Sequence, residues 1–136
     1  MPERRSTASR CADLIVVGVS SPGIGWAVGR LNGLLKAPKP VAFVTKGLDR
    51  KGGKVVTYAD TVPAQVPAIE SFIGIGGPCI ARELANRYPT ASVYASRDRA
   101  AASFAADLMQ APFYRLAVSD DVAGVARDAG AGELGE

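Results

Sequence analysis

Two short segments of this 136-residue chain combine residue types that could bind a phosphorylated ligand. Lys46 follows an apolar run and precedes a glycine. An ammonium group there can bind phosphate or stabilise a developing oxyanion, although a plain surface lysine is the alternative interpretation. The second segment, Gly76-Gly77-Pro78-Cys79, joins an apolar run to a helix-like stretch. Glycines let a ligand approach the backbone, and the N-terminus of a helix attracts anions. The alternative interpretation of this segment is a simple tight turn.

The residue types that are absent exclude several kinds of chemistry. The chain has no histidine, which excludes Ser-His-Asp triads, Cys-His nucleophiles and histidine-ligated metals. Its two cysteines, Cys11 and Cys79, form no CxxC motif, which argues against a disulfide framework and a structural zinc. Acid or base chemistry must therefore use Lys, Asp, Glu, Tyr or Cys. Without a histidine, a nucleophilic role for Cys79 is disfavoured.

Composition predicts one soluble globular domain. Hydrophobic residues make up 48% of the chain and charged residues 21%, close to globular averages. No apolar run approaches the roughly 20 residues of a membrane-spanning helix, and the arginine-rich start lacks the apolar region of a secretory signal. We therefore expect a cytoplasmic protein.

The net charge of +3 is unevenly distributed. Residues 1–68 contain ten Lys or Arg and four Asp or Glu, a balance of +6, and the remainder contains six and nine, a balance of −3. A basic half can attract phosphate-bearing ligands, although a solvated surface is the alternative. The basic residues do not interleave with aromatic residues, so we do not expect nucleic-acid binding.

Hydrophobic periodicity predicts alternating strands and helices, with an α/β fold and a mainly parallel sheet. Strands are predicted at 14–19, 41–44, 55–58, 72–75, 91–95 and 113–118. Helices are predicted at 24–35, 63–71, 81–87 and 98–110, with a glycine-bearing loop at 47–53. In such sheets ligands bind beyond the carboxyl ends of the strands. Ser20-Ser21, Lys46 and Gly76-Gly77 each follow a predicted strand, so we expect them to share one edge.

The glycine pattern of Gly23-Ile24-Gly25 through Gly29 superficially matches a dinucleotide-binding fingerprint. The loop before it, Ser20-Ser21-Pro22, is too long for the tight first turn of that motif. The next strand ends at Lys46, where an acidic residue is expected for an NAD ribose. A glycine-rich loop that opens a helix is the favoured interpretation.

Taken in order, these segments resemble the NAD(P)-dependent glycerol-3-phosphate dehydrogenase family. The resemblance covers residues 12–125 and is most specific at Thr45-Lys46-Gly47-Leu48 and at the Gly-Pro helix start from Gly77 to Ala85. It implies a Rossmann-like domain that binds NAD or NADP, without indicating which. It also implies reduction of dihydroxyacetone phosphate to glycerol 3-phosphate for phospholipid synthesis.

The resemblance also implies roles for individual residues. Lys46 would contact both cofactor and substrate, and Gly77 and Cys79 would border the substrate. Cys79 stands where the family has a serine, and a thiol is a weaker hydrogen-bonding group. Ser20, Ser21 and the backbone near Ala81 would contact the cofactor.

The resemblance is partial. The family's first βαβ half would precede residue 12, and its helical domain, with a second catalytic lysine, would follow residue 125. Residues 1–11 are expected to form a polar extension and residues 126–136 a flexible acidic tail. We therefore expect a truncated family member that is inactive alone, with a split-enzyme subunit or a non-catalytic nucleotide- or phosphate-binding module as alternatives. An exposed apolar edge at the strand 14–19 would then be free to pair with a complementary chain or a second copy.

Overall fold

The computed structural model describes residues 12–45, 49–77 and 81–125, with backbone only at 49–51. The expected extension at 1–11 and tail at 126–136 lie outside these residues. The strands are β1 (Ile15–Val17), β2 (Lys39–Phe43), β3 (Asp49–Lys51), β4 (Lys54–Val56), β5 (Ile69–Gly76), β6 (Thr90–Ala95) and β7 (Tyr114–Ser119). The helices are α1 (Ile24–Leu34), α2 (Tyr58–Gln65), α3 (Ala81–Ala85) and α4 (Arg99–Met109), with a 3-10 turn at Ser21–Gly23 before α1.

Five strands form the main sheet, in the order β1-β2-β5-β6-β7. β1, β2 and β5 are parallel neighbours, and β6 is parallel to β7. Only the β5–β6 pair within this sheet is antiparallel, so β6 and β7 run opposite to the other three strands. The prediction of a Rossmann-like, mainly parallel α/β sheet with flanking helices is confirmed.

Helices α1 and α2 cover one face of the sheet across β1, β2 and β5. Apolar residues recur at helical spacing on α1, where Ile24, Val28 and Leu31 are buried. They pack in one cluster with Val41 and Phe43 of β2 and with α2. This cluster fixes α1 directly behind the loop that leaves β1.

Helix α4 covers the opposite face. Its small buried residues, Ala102, Ala105 and Ala106, allow it to lie close to the sheet. Tyr94 and Tyr114 pack in the cluster that includes Ala105 and Ala106. Side chains alternate across a strand, so the two helical layers sandwich the centre of the sheet. Within the described chain, β1 forms one edge of the sheet, where Val16 is 43% exposed.

The loop predicted at 47–53 and the strand predicted at 55–58 are both partly wrong. β3 and β4 form an antiparallel hairpin outside the main sheet, turning at Gly52 and Gly53, which both have positive φ. This turn favours glycine, because φ values of 59° and 78° are costly for other residues. The strand ends at Val56, since Thr57 and Tyr58 start the next helix.

The helix predicted at 63–71 is also wrong in position. Helix α2 spans Tyr58–Gln65 and contains Pro63 in its interior. Thr57 precedes the helix, and its hydroxyl donates to the Asp60 carboxylate of the first turn at 3.1 Å. Residues 69–71 belong to β5 because they pair with Lys39 and Pro40 of β2. Tertiary pairing overrides the local sequence signal here.

Candidate functional site

The exits of three parallel strands meet at one edge of the sheet. β1, β2 and β5 are adjacent and parallel, so their carboxyl ends lie on the same side. Ser20 and Ser21 follow β1, Thr45 follows β2, and Gly77 follows β5. The expectation that these loops share an edge is confirmed for the described residues. Lys46 and Cys79 lie outside the described residues, so their predicted roles remain predictions.

The exit of β1 is a compact turn. Pro22 lies within the 3-10 turn Ser21–Gly23, and the Gly23 N–H donates to the Ser20 carbonyl at 2.8 Å. A Cβ added at Gly23 would lie 3.0 Å from the Cβ of Val19, so the turn folds tightly against the residue that precedes it. The Ser20 hydroxyl does not cap the turn. Ser20 and Ser21 thus lie in the short segment between Val19 and Gly23.

The glycine pattern around α1 has a local explanation. A Cβ at Gly23 would crowd Val19, whereas a Cβ at Gly25 or Gly29 would meet no atom within 4 Å. The 3-10 turn separates β1 from α1, so the strand does not pass directly into the helix. These features agree with the interpretation of a glycine-rich loop that opens a helix.

The exit of β2 is tied to the exit of β1. The Val44 N–H donates to the Val17 carbonyl at 3.0 Å, which extends the ladder one residue beyond β2. The Thr45 hydroxyl then donates to the Val19 carbonyl at 2.6 Å. This second bond is made by a side chain and joins residues 26 apart in the sequence. The sequence did not predict this hydrogen bond, because the charge of Lys46 indicated a functional role for the lysine and not for Thr45 before it.

The exit of β5 depends on a glycine. Gly77 has φ of 111°, and a Cβ there would lie 3.2 Å from the Ser92 Cα and 3.5 Å from the Ala91 carbonyl oxygen. Both contacts are to the backbone of β6, which pairs with β5 through Gly76 and Val93. Gly77 therefore has a packing reason for its identity, separate from its predicted contact with substrate. Ala81, predicted to lie near the cofactor, is exposed at the start of α3.

An open concavity lies on β6, β7 and the segment that precedes β7. It measures about 780 Å³ and is lined mainly by small and apolar side chains, together with Gln110 and Arg115. Ala91, Arg115 and Ala117 are exposed there, and Val93 is half-buried. This surface was not predicted, because alternation along a strand does not reveal which of its two faces is covered.

A separate charged cluster lies near the start of β5 and the end of β6, at the opposite end of these strands from Gly77. Arg97 follows the carboxyl end of β6 and forms a hydrogen-bonded ion pair with Asp60. This bond from Arg97 is the main reason that the pKa of the Asp60 carboxyl is lowered, with a smaller contribution from Thr57. Asp98 accepts a hydrogen bond from Ser71 at 3.0 Å nearby. These contacts hold α2 and the β6–α4 loop to the sheet and do not reach the strand exits of β1 and β2.

Other classes of site find no support in the described part of the chain. No group of three or more Cys, Asp or Glu residues there is arranged to hold a metal ion. None of the helices at 24–34, 58–65, 81–85 and 99–109 has the length and apolarity needed to span a bilayer.

Comparisons with known proteins agree with one another. Residues 4–102 match the sequence model of a family described as the N-terminus of NAD-dependent glycerol-3-phosphate dehydrogenase. The chain is 33% identical over 118 residues to glycerol-3-phosphate dehydrogenase [NAD(P)+] 1 of Mycobacterium bovis, covering 87% of this chain and 34% of that protein. It is 27% identical to the NADP(+)-dependent glycerol-3-phosphate dehydrogenase of Archaeoglobus fulgidus, covering 90% of this chain and 37% of that protein. The chain thus spans about a third of the length of these relatives.

A solved structure shows the same fold. The glycerol-3-phosphate dehydrogenase of Coxiella burnetii superimposes with a TM-score of 0.72 at 22% identity. The match covers 91% of this chain and 37% of that one.

Proposed function

Because the chain belongs to the NAD-dependent glycerol-3-phosphate dehydrogenase family, we propose that it binds NAD or NADP at the edge formed by the exits of β1, β2 and β5. The observation that carries this proposal is the convergence of these three exits within the region that matches the family. In open α/β sheets, nucleotide cofactors bind outside the carboxyl ends of the strands. Ser20 and Ser21 are proposed to contact the cofactor, together with the backbone near Ala81.

The described residues fit a dinucleotide. Ser20 and Ser21 offer hydroxyl groups that can both donate and accept, as ribose and amide groups require. The Thr45–Val19 bond joins the exits of β1 and β2 beside these serines. Gly77, which directly follows β5, carries no side chain and lies close to the Ser92 backbone. Hydroxyl groups at one strand exit and a glycine at another support this proposal.

The proposed reaction is the reduction of dihydroxyacetone phosphate by NADH or NADPH, with uptake of a proton, to give glycerol 3-phosphate and the oxidised cofactor. A bound nicotinamide supplies the hydride for this reaction. Lys46 is proposed to contact both ligands, where its ammonium would bind phosphate or stabilise the negative charge that develops on the carbonyl oxygen. Gly77 and Cys79 are proposed to border the substrate.

We propose that the 136-residue chain binds its cofactor but does not turn over substrate by itself. The chain spans about a third of the length of its relatives, and electrostatic stabilisation of a transition state is weak in a site that is open to water. Full activity would need the remaining two-thirds of the length found in the relatives, supplied in the same chain or by a second subunit. By analogy with the family, we also propose a cytoplasmic location and a role in glycerophospholipid synthesis.

The test is a titration of the purified chain with NADPH and with NADH, followed by nucleotide fluorescence and by thermal melting. Ligand at about one hundred times its Kd adds roughly 2.7 kcal/mol to the free energy of unfolding, which raises the Tm of a domain this size by several degrees. Lys46→Ala should weaken binding by about 10- to 100-fold, the effect of losing one charge-assisted hydrogen bond. The matched control is Lys54→Ala, since Lys54 is exposed on the β3–β4 hairpin outside the main sheet.

Turnover is measured in parallel by NADPH absorbance with dihydroxyacetone phosphate. Binding without turnover supports the proposal as stated. Steady-state oxidation of NADPH by the chain alone would contradict the need for additional protein. Failure of both nucleotides to bind or to shift the melting curve would contradict the cofactor site itself.

A further inference from the structure

The Thr45 hydroxyl bonds to the acceptor on β1 that follows the Val44–Val17 bond of the ladder. In a parallel ladder, successive acceptors on one strand are two residues apart. Val44 donates to the Val17 carbonyl, so the next acceptor along β1 is the Val19 carbonyl. The Thr45 side chain donates to that carbonyl at 2.6 Å. Among the described residues, a side chain therefore joins the two strands beyond the Val44–Val17 bond, at the level where their loops begin.

The turn that follows Val19 folds back against it. A Cβ at Gly23 would lie 3.0 Å from the Val19 Cβ, and the Gly23 N–H closes the turn on the Ser20 carbonyl at 2.8 Å. Ser20 and Ser21 lie between these anchor points. The Thr45 hydroxyl therefore bonds to the peptide carbonyl that directly precedes Ser20.

Threonine suits this role better than serine or valine. Its branched Cβ restricts χ1, so the half-buried hydroxyl is held toward its acceptor at low entropic cost. Serine retains the donor with more rotational freedom, whereas valine retains the shape and removes the donor. A comparison of threonine, serine and valine at position 45 therefore distinguishes the effect of the hydrogen bond from the effect of side-chain packing.

We propose that Thr45 is a positioning residue that holds the turn from Val19 to Gly23 in the conformation that binds the cofactor. This inference rests on the proposed cofactor site, because Thr45 acts through Ser20 and Ser21. Loss of the Thr45–Val19 bond removes this restraint on the Val19 carbonyl and loosens the turn. The serines then have to be ordered when the nucleotide binds, which lowers affinity.

The first measurement is the Kd for NADPH of the 136-residue chain with Thr45→Val and Thr45→Ser. Thr45→Val should weaken binding by about three- to tenfold, the effect of one ordinary hydrogen bond, and Thr45→Ser should remain within about twofold of the wild type. The matched control is Thr57→Val, which removes the bond to Asp60 in the other cluster. Thr57→Val should lower the Tm and leave the Kd unchanged. Equal Kd values for Thr45→Val and the wild type would overturn the inference.

A double-mutant cycle tests whether Thr45 acts through the serines. If it does, Thr45→Val should weaken binding less in a Ser21→Ala background than in the wild type, because the group that it positions is already removed. Full additivity of the two substitutions would show that Thr45 acts elsewhere, and would overturn the inference.

Amide hydrogen exchange without nucleotide separates this inference from the cofactor site. The Gly23 N–H should exchange faster in Thr45→Val than in the wild type or Thr45→Ser, since its bond to Ser20 depends on the ordered turn. If the chain binds no nucleotide, faster exchange would support the ordering of the turn by the Thr45–Val19 bond while contradicting the proposed cofactor site. Unchanged exchange at Gly23 would overturn this ordering role of Thr45, even in a chain that binds NADPH.

Discussion

Gly77→Ala tests whether the exit of β5 is limited by packing rather than by contact with a ligand. The backbone at Gly77 has φ of 111°, outside the regions that residues with a side chain readily adopt. A methyl group there would approach the Ser92 Cα to 3.2 Å, closer than most such contacts. Ser92 is buried on β6, so its backbone cannot move away without disturbing the pairing of Gly76 with Val93.

The expected cost follows from two opposing effects. Backbone strain of this kind costs about 1–3 kcal/mol, and the crowded Cβ adds to it. Alanine also restricts the unfolded chain, which offsets about 0.4–1 kcal/mol. We expect a net loss of about 1–3 kcal/mol in the free energy of unfolding, which for a domain of this size lowers the Tm by roughly 3–12 °C.

The measurement is a urea and thermal unfolding series without ligand, followed by circular dichroism. Gly25→Ala is the matched control, because a Cβ there would meet no atom within 4 Å and the residue lies in a helix. It should not destabilise the chain. A Gly77→Ala variant that unfolds together with the wild type would refute the packing argument. The glycine would then need another explanation, such as close approach of a ligand.

Two further predictions concern stability. Gly29→Ala should raise the free energy of unfolding by about 0.5–1 kcal/mol, since Gly29 lies inside α1 with open space around it and alanine favours helix; a destabilised variant would show that this surface needs a bare backbone. Asp60→Asn should cost less than about 1 kcal/mol at neutral pH, because both side chains of its ion pair with Arg97 are largely exposed. The pKa of Asp60 is lowered by folding, so its stabilising effect exists above the unfolded value of 3.8 and disappears as the pH falls through the lower folded value. Urea unfolding of wild type and Asp60→Asn should therefore converge on acidification, and a difference that persists at low pH would contradict this assignment.

Local patterns predicted most of the main sheet. The continuous apolar runs around β1, β2, β6 and β7 are typical of buried strands, and their ends were predicted to within two residues. The alanine-rich α4 was equally clear. These elements were predictable because burial on both faces of a strand, or along one face of a helix, leaves a periodic pattern in the sequence.

The segment from 47 to 71 was predicted poorly because its local signals are weak or conflicting. Gly52 and Gly53 indicate a turn, but the hairpin that they connect is short. Pro63 suggested a helix start, yet it lies within α2. The start of β5 is determined by its partners on β2, which are 30 residues away in the sequence.

The sequence by itself determined the fold class and the candidate residues at the strand ends, because strand periodicity, glycine turns and the resemblance at Thr45-Lys46 are local properties. Only the tertiary structure decided how those residues meet. The strand order and the reversed direction of β6 depend on pairing between segments that are distant along the chain. The same is true of the contact of Gly77 with Ser92 and of the bond from Thr45 to Val19. Such contacts depend on the packing of the whole sheet, which leaves no pattern at either residue alone.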